Sequence, residues 1–353
     1  LYEVVAKANA FEATFKNGET TLATEAWKTG SKPTHRQDLF GTYYLYAAAT
    51  QGITADTTYP AKHKTTESKI TGNLTLYANI TFNLYFRKDG FIKGVKYNGN
   101  TTSFSETTLL NGEEYYLFKI DDISPKDLSK AFTLEVLLAS GETTATYTVN
   151  TSLSKYAAAV LANEATDAKT VAGKTLVKAL LDYVYEMSKE PTLGNVDENT
   201  PGMVAIKKGL DHYGRDRKEW KGTATIPAAG NITAASLKLA STPGFIFYLS
   251  GDYAEASSVN VTVNGKTTSY TVTHDGDNHY FIVSNIHVSK YTADLTVTLD
   301  NQTFTYSLGV YMQGFKDKGI EIPAYANALY TYVLAAQDYL TALAANSGKE
   351  KRT

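Results

Sequence analysis

The sequence predicts an α+β protein in which tandem antiparallel β-sandwich modules are connected and flanked by α-helices. Three observations predict this fold class. Apolar and polar residues alternate with a period of two over many short segments, apolar stripes at helical spacing follow each run of these segments, and parts of the first run recur in the second. Evenly spaced short strands separated by turn residues are typical of antiparallel sandwiches.

Residues 1–52 are expected to be helical and to form the tail of a preceding module. Apolar residues recur at helical spacing between Tyr2 and Phe11, and a second helix is predicted from Pro33 to Gln51. Pro33 suits a first helical turn, and Gly52 suits a helix stop.

A first sandwich with helices is predicted over residues 66–190. Phe82, Leu84 and Phe86 alternate with polar residues, which indicates a half-buried strand. Further strands are predicted at Phe91–Tyr97, Glu114–Ile120, Phe132–Leu138 and Thr143–Thr151. Helical patterns then follow at Ser154–Asn163 and Thr170–Lys189.

Residues 191–219 are a predicted linker with a short helix at Met203–Tyr213, because the segment from Pro191 to Pro201 is rich in Gly, Asn and Pro. The charged run from Asp211 to Glu219 is expected to be a solvated helix end and linker. Strand alternation then resumes, and a helix is predicted from about Pro323 to Ala345. Residues 220–345 are therefore a second predicted sandwich with a C-terminal helix.

An internal repeat relates the two predicted sandwiches. Tyr115–Phe118 aligns without gaps with Tyr280–Val283. The same register pairs Ile123-Ser124 with Val288-Ser289. Because the matches keep one register, we expect the two segments to occupy the same place in two related modules.

A helix with a tyrosine-centred stripe follows each predicted sandwich, around Tyr183 in the first and Tyr332 in the second. A third copy of this helix is predicted near the N-terminus, where Tyr44 to Gln51 matches Tyr330 to Gln337 in one register. The repeating module is thus predicted to be a sandwich followed by a helical segment.

The stretch from Leu329 to Leu340, LYTYVLAAQDYL, resembles the "LxNYGAAAQxYF" helix in repeat modules of large surface proteins of gut Firmicutes. The segment from Tyr115 to Leu128 is similar to the "YYxVxVxxIxAKDL" segment of the same modules. The second copy departs from this pattern, and the Gly of the helix motif is Val184 in one copy and Val333 in the other. The resemblance implies a secreted or cell-wall-attached bacterial protein, and it carries no catalytic residues.

The composition excludes several classes of function. The chain has 353 residues, no cysteine and a formal net charge of −2. No disulfide framework or cysteine nucleophile is therefore expected, and no large basic face for nucleic acid. Since no run of about 18 apolar residues occurs, no membrane insertion is expected. We expect a monomeric fragment of a larger chain.

The sequence lacks the familiar catalytic motifs, and we expect no enzyme, no cofactor and no metal. Nucleophile elbows, zinc helices, P-loops and dinucleotide fingerprints do not occur. Carboxylate pairs such as Glu113-Glu114 and Asp121-Asp122 leave glycoside hydrolysis as the weaker alternative. The turn from His274 to His279 is expected to be a tight hairpin, with a cation site as its alternative.

Stacking and hydrogen bonding are the chemistry that remains, and they suit sugars, whose apolar faces lie on aromatic rings. The candidate ligand-binding residues are Trp27, Trp220, Tyr77, Tyr85 and Tyr97. Each tryptophan has an alternative role as a buried anchor. Asn-x-Thr triplets, including those at Asn231 and Asn301, are interpreted as by-products of a Thr-rich composition.

The expected function is extracellular adhesion or recognition, and the expected partner is a polysaccharide or a host glycoprotein. Glycan binding is the first hypothesis. Recognition of a host protein, such as an immunoglobulin or a mucin polypeptide, is the second, with a sheet edge or an exposed helix as the surface. A structural spacer is the third.

Overall fold

The computed structural model describes residues 10–17, 19–39, 43–60, 62–65, 70–76, 80–88, 92–110, 112–140, 143–239 and 244–350. These residues form strands and helices in an α+β arrangement, which confirms the coarse fold class. Within these ranges, no helix combines the length and the apolar character that crossing a bilayer requires.

The strands of the first half are β1 Ala10–Asn17, β2 Thr20–Lys28, β3 Thr34–Leu39, β4 Tyr43–Ala48, β5 Thr57–Pro60, β6 Lys62–Thr65, β7 Ile70–Leu76, β8 Ile80–Arg87, β9 Ile92–Tyr97, β10 Asn100–Ser103, β11 Thr108–Leu110, β12 Glu113–Ile123, β13 Ala131–Ser140 and β14 Thr143–Ser152. Those of the second half are β15 Ile232–Lys238, β16 Gly244–Leu249, β17 Ser258–Val263, β18 Lys266–Thr271, β19 Thr273–Asp275, β20 Asn278–Ser284, β21 Leu295–Leu299 and β22 Gln302–Tyr306. The helices are α1 Leu153–Leu161, α2 Ala168–Lys189, α3 Pro201–Tyr213, α4 Leu308–Asp317 and α5 Ala324–Glu350.

The prediction that residues 1–52 are helical is wrong for the described part of this segment, which forms strands β1 to β4. Phe11, Ala13 and Phe15 occupy alternate positions, and Ala13 and Phe15 are fully buried. Alternate apolar positions are typical of a strand, in which successive side chains point to opposite faces. The apolar residues of this segment are therefore compatible with a strand as well as with the expected helix. Pairing with β2 on one side and β5 on the other satisfies the backbone of β1. Residues 1–9 lie outside the described residues.

The predicted third copy of the tyrosine helix is also wrong. Its first residues lie in β4, which pairs with both β3 and β6, and the last ones lie in the turn that follows. Gly52 ends no helix. A Cβ at Gly52 would lie 2.5 Å from the carbonyl oxygen of Gly30, so glycine permits two backbone segments to approach closely.

The chain divides into two compact units. The first comprises Leu1–Asn73, Asn83–Lys119 and Phe132–Asn150. The second comprises Leu74–Phe82, Ile120–Ala131 and Thr151–Thr353. The predicted short helix near 203–213 is confirmed as α3, and the predicted helices near 170–189 and 323–345 are confirmed as α2 and α5.

Four of the sheets form two pairs, and the strand orders of the first pair recur in the second. One pair has the orders β11-β12-β8-β7 and β10-β9-β13-β14. The other has β19-β20-β16-β15 and β18-β17-β21-β22, so adding eight to every strand number of the first pair gives the second. A short 3-10 helix precedes β13 and another precedes β21, at Pro125–Ser129 and Val288–Lys290. Helices α1, α2 and α3 follow the first pair of sheets along the chain, and α4 and α5 follow the second.

Buried aromatic rings of the second half contact each other from strands of different sheets. Phe245 and Phe247 on β16 are fully buried. The ring of Phe245 lies 5.3 Å from that of Tyr306 on β22, and the ring of Phe247 lies 6.2 Å from that of Phe304 on the same strand. Because β16 and β22 belong to different sheets, these ring contacts join residues of two sheets.

Helices α2 and α5 pack against each other through two fully buried tyrosines. The rings of Tyr183 and Tyr332 are stacked, with centroids 5.7 Å apart and planes 11° from parallel. Burial raises the pKa of both phenols well above the ordinary value. The internal repeat had placed these two residues at equivalent positions, and in the structure they contact each other.

Residues 214–224, here called the strap, contain no helix or strand and are held by side chains of the helices. The guanidinium of Arg217 donates to both oxygens of Asp182 on α2, at 2.7 and 2.6 Å. The backbone N–H of Lys218 donates to Thr331 Oγ1 at 2.8 Å, on α5. The expectation of a solvated linker is therefore wrong for Arg217, since its bidentate bonds to a buried carboxylate fix this segment.

Candidate functional site

Trp27 lies on β2 and is half-buried against the cluster formed by Ala13, Phe15, Ala47 and Ile53. Its indole Nε1 donates to Glu25 Oε2 at 3.3 Å. The ring is thus partly an anchor of this cluster and partly accessible.

Trp220 belongs to the strap and is also half-buried. Its backbone N–H donates to Asn327 Oδ1 at 3.1 Å, and Lys316 Nζ lies 5.1 Å from the centre of its ring. A Cβ at Gly222 would lie 2.9 Å from the indole. The ring is therefore covered by its own chain at these points, which suits an anchor better than a platform for stacking.

Of the three predicted tyrosines, the structure describes Tyr85 and Tyr97. Tyr77 lies outside the described residues. Tyr85 on β8 and Tyr97 on β9 are half-buried, and their strands belong to different sheets. The ring of Tyr97 packs edge-on against Phe118, with centroids 6.1 Å apart.

Tyr85 is the centre of a polar and aromatic cluster in the first unit, which we call the Tyr85 cluster: Asn73, Asn83, Tyr85, Glu113 and Tyr115. The rings of Tyr85 and Tyr115 are perpendicular, with centroids 6.4 Å apart. Asn73 Nδ2 donates to the hydroxyl of Tyr85 at 3.2 Å, and Asn83 Nδ2 donates to Asn73 Oδ1 at 2.8 Å. The hydroxyl of Tyr115 donates to Glu113 Oε2 at 3.0 Å. These contacts hold two rings and a carboxylate in fixed positions.

A polar depression of about 500 Å³ lies in the second unit, and we call it the Asp300 depression. It is shallow and is lined by residues 228–231, which precede β15, and by residues 300–303, at the turn from β21 into β22. Asp300 adopts a φ of +50° in this turn. Asp tolerates this conformation because its short side chain bonds locally.

Gln302 fastens the two segments of the depression together. Its Oε1 accepts from the backbone N–H of Ile232 at 2.8 Å, and its Nε2 donates to the carbonyl of Ala228 at 3.1 Å. A Cβ at Gly230 would lie 2.8 Å from the carboxamide of Gln302, so glycine gives this side chain its room. Hydrogen bonds from the Gln302 side chain to the backbone of Ala228 and Ile232 thus hold the floor of the depression.

The carboxylate of Asp300 is oriented by two donors. Asn231 Nδ2 donates to Asp300 Oδ2 at 3.0 Å, and the hydroxyl of Tyr253 donates to the same oxygen. Burial and this hydrogen bond raise the pKa of Tyr253 to about 12, so the phenol keeps its proton at neutral pH. Asn301 is exposed beside them. Asp300, Asn231 and Asn301 thus present a carboxylate and two amides to the depression, and Tyr253 supports the carboxylate without lining it.

The predicted tight hairpin between His274 and His279 is confirmed. Strands β19 and β20 pair across this turn, and Gly276 has a φ of +59°. The two imidazoles lie with their Nδ1 atoms 2.9 Å apart. In the described ranges, no group of three or more His, Cys, Asp or Glu is arranged to hold a metal ion.

No model of a known protein family matches the sequence, and no curated protein matches it either.

Sequence reasoning missed the Asp300 depression. Its signals were the triplets at Asn231 and Asn301, which had been attributed to composition. Sixty-nine positions separate Asn231 from Asp300 in the chain, and only the meeting of two loops brings them together. A two-residue turn such as Asp300-Asn301 is also an ordinary hairpin signal, so the pattern alone did not distinguish a site from a turn.

Proposed function

We propose that this chain is a non-catalytic, extracellular bacterial recognition protein that binds glycan in the Asp300 depression. The observation that carries the proposal is the hydrogen-bonded pair Asn231 and Asp300 beside the exposed Asn301, around one open concave surface. Polysaccharides present rows of hydroxyl groups, each of which both donates and accepts. A carboxylate with amides on either side offers both kinds of partner.

The architecture that we propose is a pair of tandem sandwich modules, each followed by helices. The matching strand orders of the two pairs of sheets support it. The ring contacts between β16 and β22 support it further, since they join two sheet faces. The resemblance to the repeat modules of gut Firmicutes surface proteins agrees with a scaffold that presents binding sites outside the cell.

Each residue of the depression has a separate role in this proposal. Asp300 accepts from sugar hydroxyls, and Asn231 and Tyr253 keep its carboxylate in place. Asn301 donates and accepts at the exposed rim. Because the ligand is uncharged, we expect binding that changes little with salt concentration.

The test is a glycan array followed by calorimetry on the intact chain and its variants. Asp300→Asn keeps the turn and removes the charge, and Asn301→Ala removes an exposed amide. Each is expected to weaken binding roughly tenfold, the effect of losing a hydrogen bond to a charged or fixed group. Asp277→Asn and Asn278→Ala are the matched controls, because they make the same changes in another hairpin turn of the same half.

Two outcomes contradict the proposal in different ways. If no polysaccharide binds, glycan recognition by this chain is rejected. If a polysaccharide binds and Asp300→Asn has no effect while Tyr85→Ala abolishes binding, the function holds and the site is the Tyr85 cluster.

Recognition of a host protein is the second candidate, and one edge strand favours it. Strand β11 lies at the end of its sheet order, and Leu109 on this strand is 71% exposed. Edge strands accept a further strand from a partner. A pull-down from serum or mucosal secretions that captures a partner after deglycosylation, and loses it with Leu109→Lys, would favour this candidate over glycan binding.

A further inference from the structure

Helices α1, α2 and α3 line a partly open cavity of about 240 Å³ in the second unit. Four of its lining positions carry very small side chains, Ala157 and Ala158 on α1 and Ala205 and Gly209 on α3. A Cβ added at Gly209 would have Leu181 Cδ1, at 3.9 Å, as its nearest neighbour, so this wall has room. Small residues at a three-helix contact leave space that larger apolar residues would fill.

The cavity is apolar inside and basic at its mouth. Ala157 and Leu181 are almost fully buried. Lys208 and His212 also line it, one helical turn apart on the exposed side of α3. In the described part of the chain, neither side chain forms an ion pair. The ring of His212 instead packs edge-on against Tyr213, with centroids 4.5 Å apart.

We propose that this cavity binds a small amphiphilic carboxylate, with its apolar group between the helices and its carboxylate at Lys208 and His212. The volume sets the size of the apolar group. An apolar cavity of about 150 Å³ accepts benzene, so this one has room for a substituted ring or a short acyl chain. A ligand of about ten heavy atoms gives roughly millimolar affinity.

The experiment uses the intact chain with ¹³C-labelled methyl groups of Ala and Leu, and phenylacetate and hexanoate as probes. The expected result is a saturable shift of the methyl signals of Ala157, Ala205 and Leu181. Phenylacetamide, which has the same ring without the charge, is expected to bind about threefold more weakly, as for loss of an exposed ion pair.

Three variants make the test specific. Ala158→Phe is expected to cover the cavity and abolish the shifts. Lys208→Gln is expected to weaken phenylacetate about threefold and to leave phenylacetamide unchanged. Lys207→Gln is the matched control, since Lys207 is equally exposed on α3 but does not line the cavity.

The proposal is overturned if the methyl signals do not shift up to the solubility limit of the probes. It is also overturned if the probes still shift the methyl signals of the Ala158→Phe variant, or if Lys207→Gln weakens binding as much as Lys208→Gln. Ala205→Leu is a second occluding variant, which keeps the test decisive if circular dichroism shows that Ala158→Phe does not fold.

Discussion

Helices α2 and α5 occupy matching places after the two pairs of sheets, and they hold the strap with different chemistry. Aligning Tyr183 with Tyr332 places Asp182 opposite Thr331. Asp182 accepts two hydrogen bonds from Arg217, whereas Thr331 accepts one from the backbone N–H of the next residue, Lys218.

The same comparison holds one turn earlier on each helix. Lys178 on α2 forms an ion pair with Asp216 at 2.5 Å. Its equivalent on α5, Asn327, accepts from the backbone N–H of Trp220 at 3.1 Å. One helix thus holds the strap through charges and the other through neutral groups. Equivalent positions on the two helices thus contact the same segment. We expect the residue type at each position to determine how much its contact stabilises the chain.

The largest expected effect lies in what the two helices share, the stacked tyrosine pair. Tyr183→Ala or Tyr332→Ala should each lower the free energy of unfolding by about 4 kcal/mol, because each removes a fully buried ring. The double variant should cost about 1 kcal/mol less than the sum, since the rings contact each other. Urea denaturation measures all three values. Additive effects would contradict a direct coupling between the helices, and Tyr183→Phe, which keeps the ring, is the control.

The next effect separates the charged helix from the neutral one. Arg217→Met leaves the carboxylate of Asp182, whose side chain is only 5% exposed, without its bidentate partner. We expect a loss of about 3 kcal/mol, as for breaking a buried ion pair. Lys221→Met is the control. Lys221 forms an ion pair with Glu219 in which both side chains are largely exposed, so it should contribute almost nothing to the free energy of unfolding. Equal effects of the two variants would show that the strap is not held by charge.

The sequence was informative where a pattern is local. The alternation of Phe82, Leu84 and Phe86 predicted strand β8, and all three side chains are buried. The ungapped match of Tyr115–Phe118 with Tyr280–Val283 falls on β12 and β20, which hold the same place in their sheets. These features depend on neighbours within a few residues, so the chain itself displays them.

The sequence misled where a pattern fits two periods or where distant segments meet. Alternate apolar residues in a short segment such as Phe11–Phe15 satisfy both spacings, and pairing with β2 and β5 decided for a strand. Arg217 and Asp182 are 35 positions apart, so the charged run around Arg217 resembled a solvated linker. The prediction of the binding site failed for the same reason, because the Asp300 depression is formed by two loops that are distant in the sequence.

A smaller effect is expected on the neutral helix. Thr331→Val removes a hydroxyl that accepts from the N–H of Lys218 and donates to the carbonyl of Asn327, both at 2.8 Å. The variant keeps the shape of the side chain and loses two hydrogen bonds, so the free energy of unfolding should fall by about 2 kcal/mol. The measurement is again urea denaturation. A loss as large as that of Arg217→Met would remove the distinction between the two helices.

The smallest expected effect belongs to one of two equivalent positions, Ser188 and Gln337, whose polar groups make different contacts. Gln337 on α5 donates to the carbonyl of Ser289 at 2.7 Å and to Thr292 Oγ1 at 2.9 Å. Its equivalent on α2, Ser188, is fully buried, and its hydroxyl has no hydrogen-bond partner among the described residues. Burying a polar group without a partner costs stability, and Ala favours a helix more than Ser does.

Ser188→Ala should therefore leave the free energy of unfolding unchanged or raise it by up to about 1 kcal/mol. Gln337→Ala should lower it by about 2 kcal/mol, because two hydrogen bonds to the segment before β21 are lost. Thermal and urea denaturation of both variants measure the difference in sign. If Ser188→Ala destabilises the chain as much as Gln337→Ala, the hydroxyl of Ser188 contributes a bond, and the two helices use this position alike.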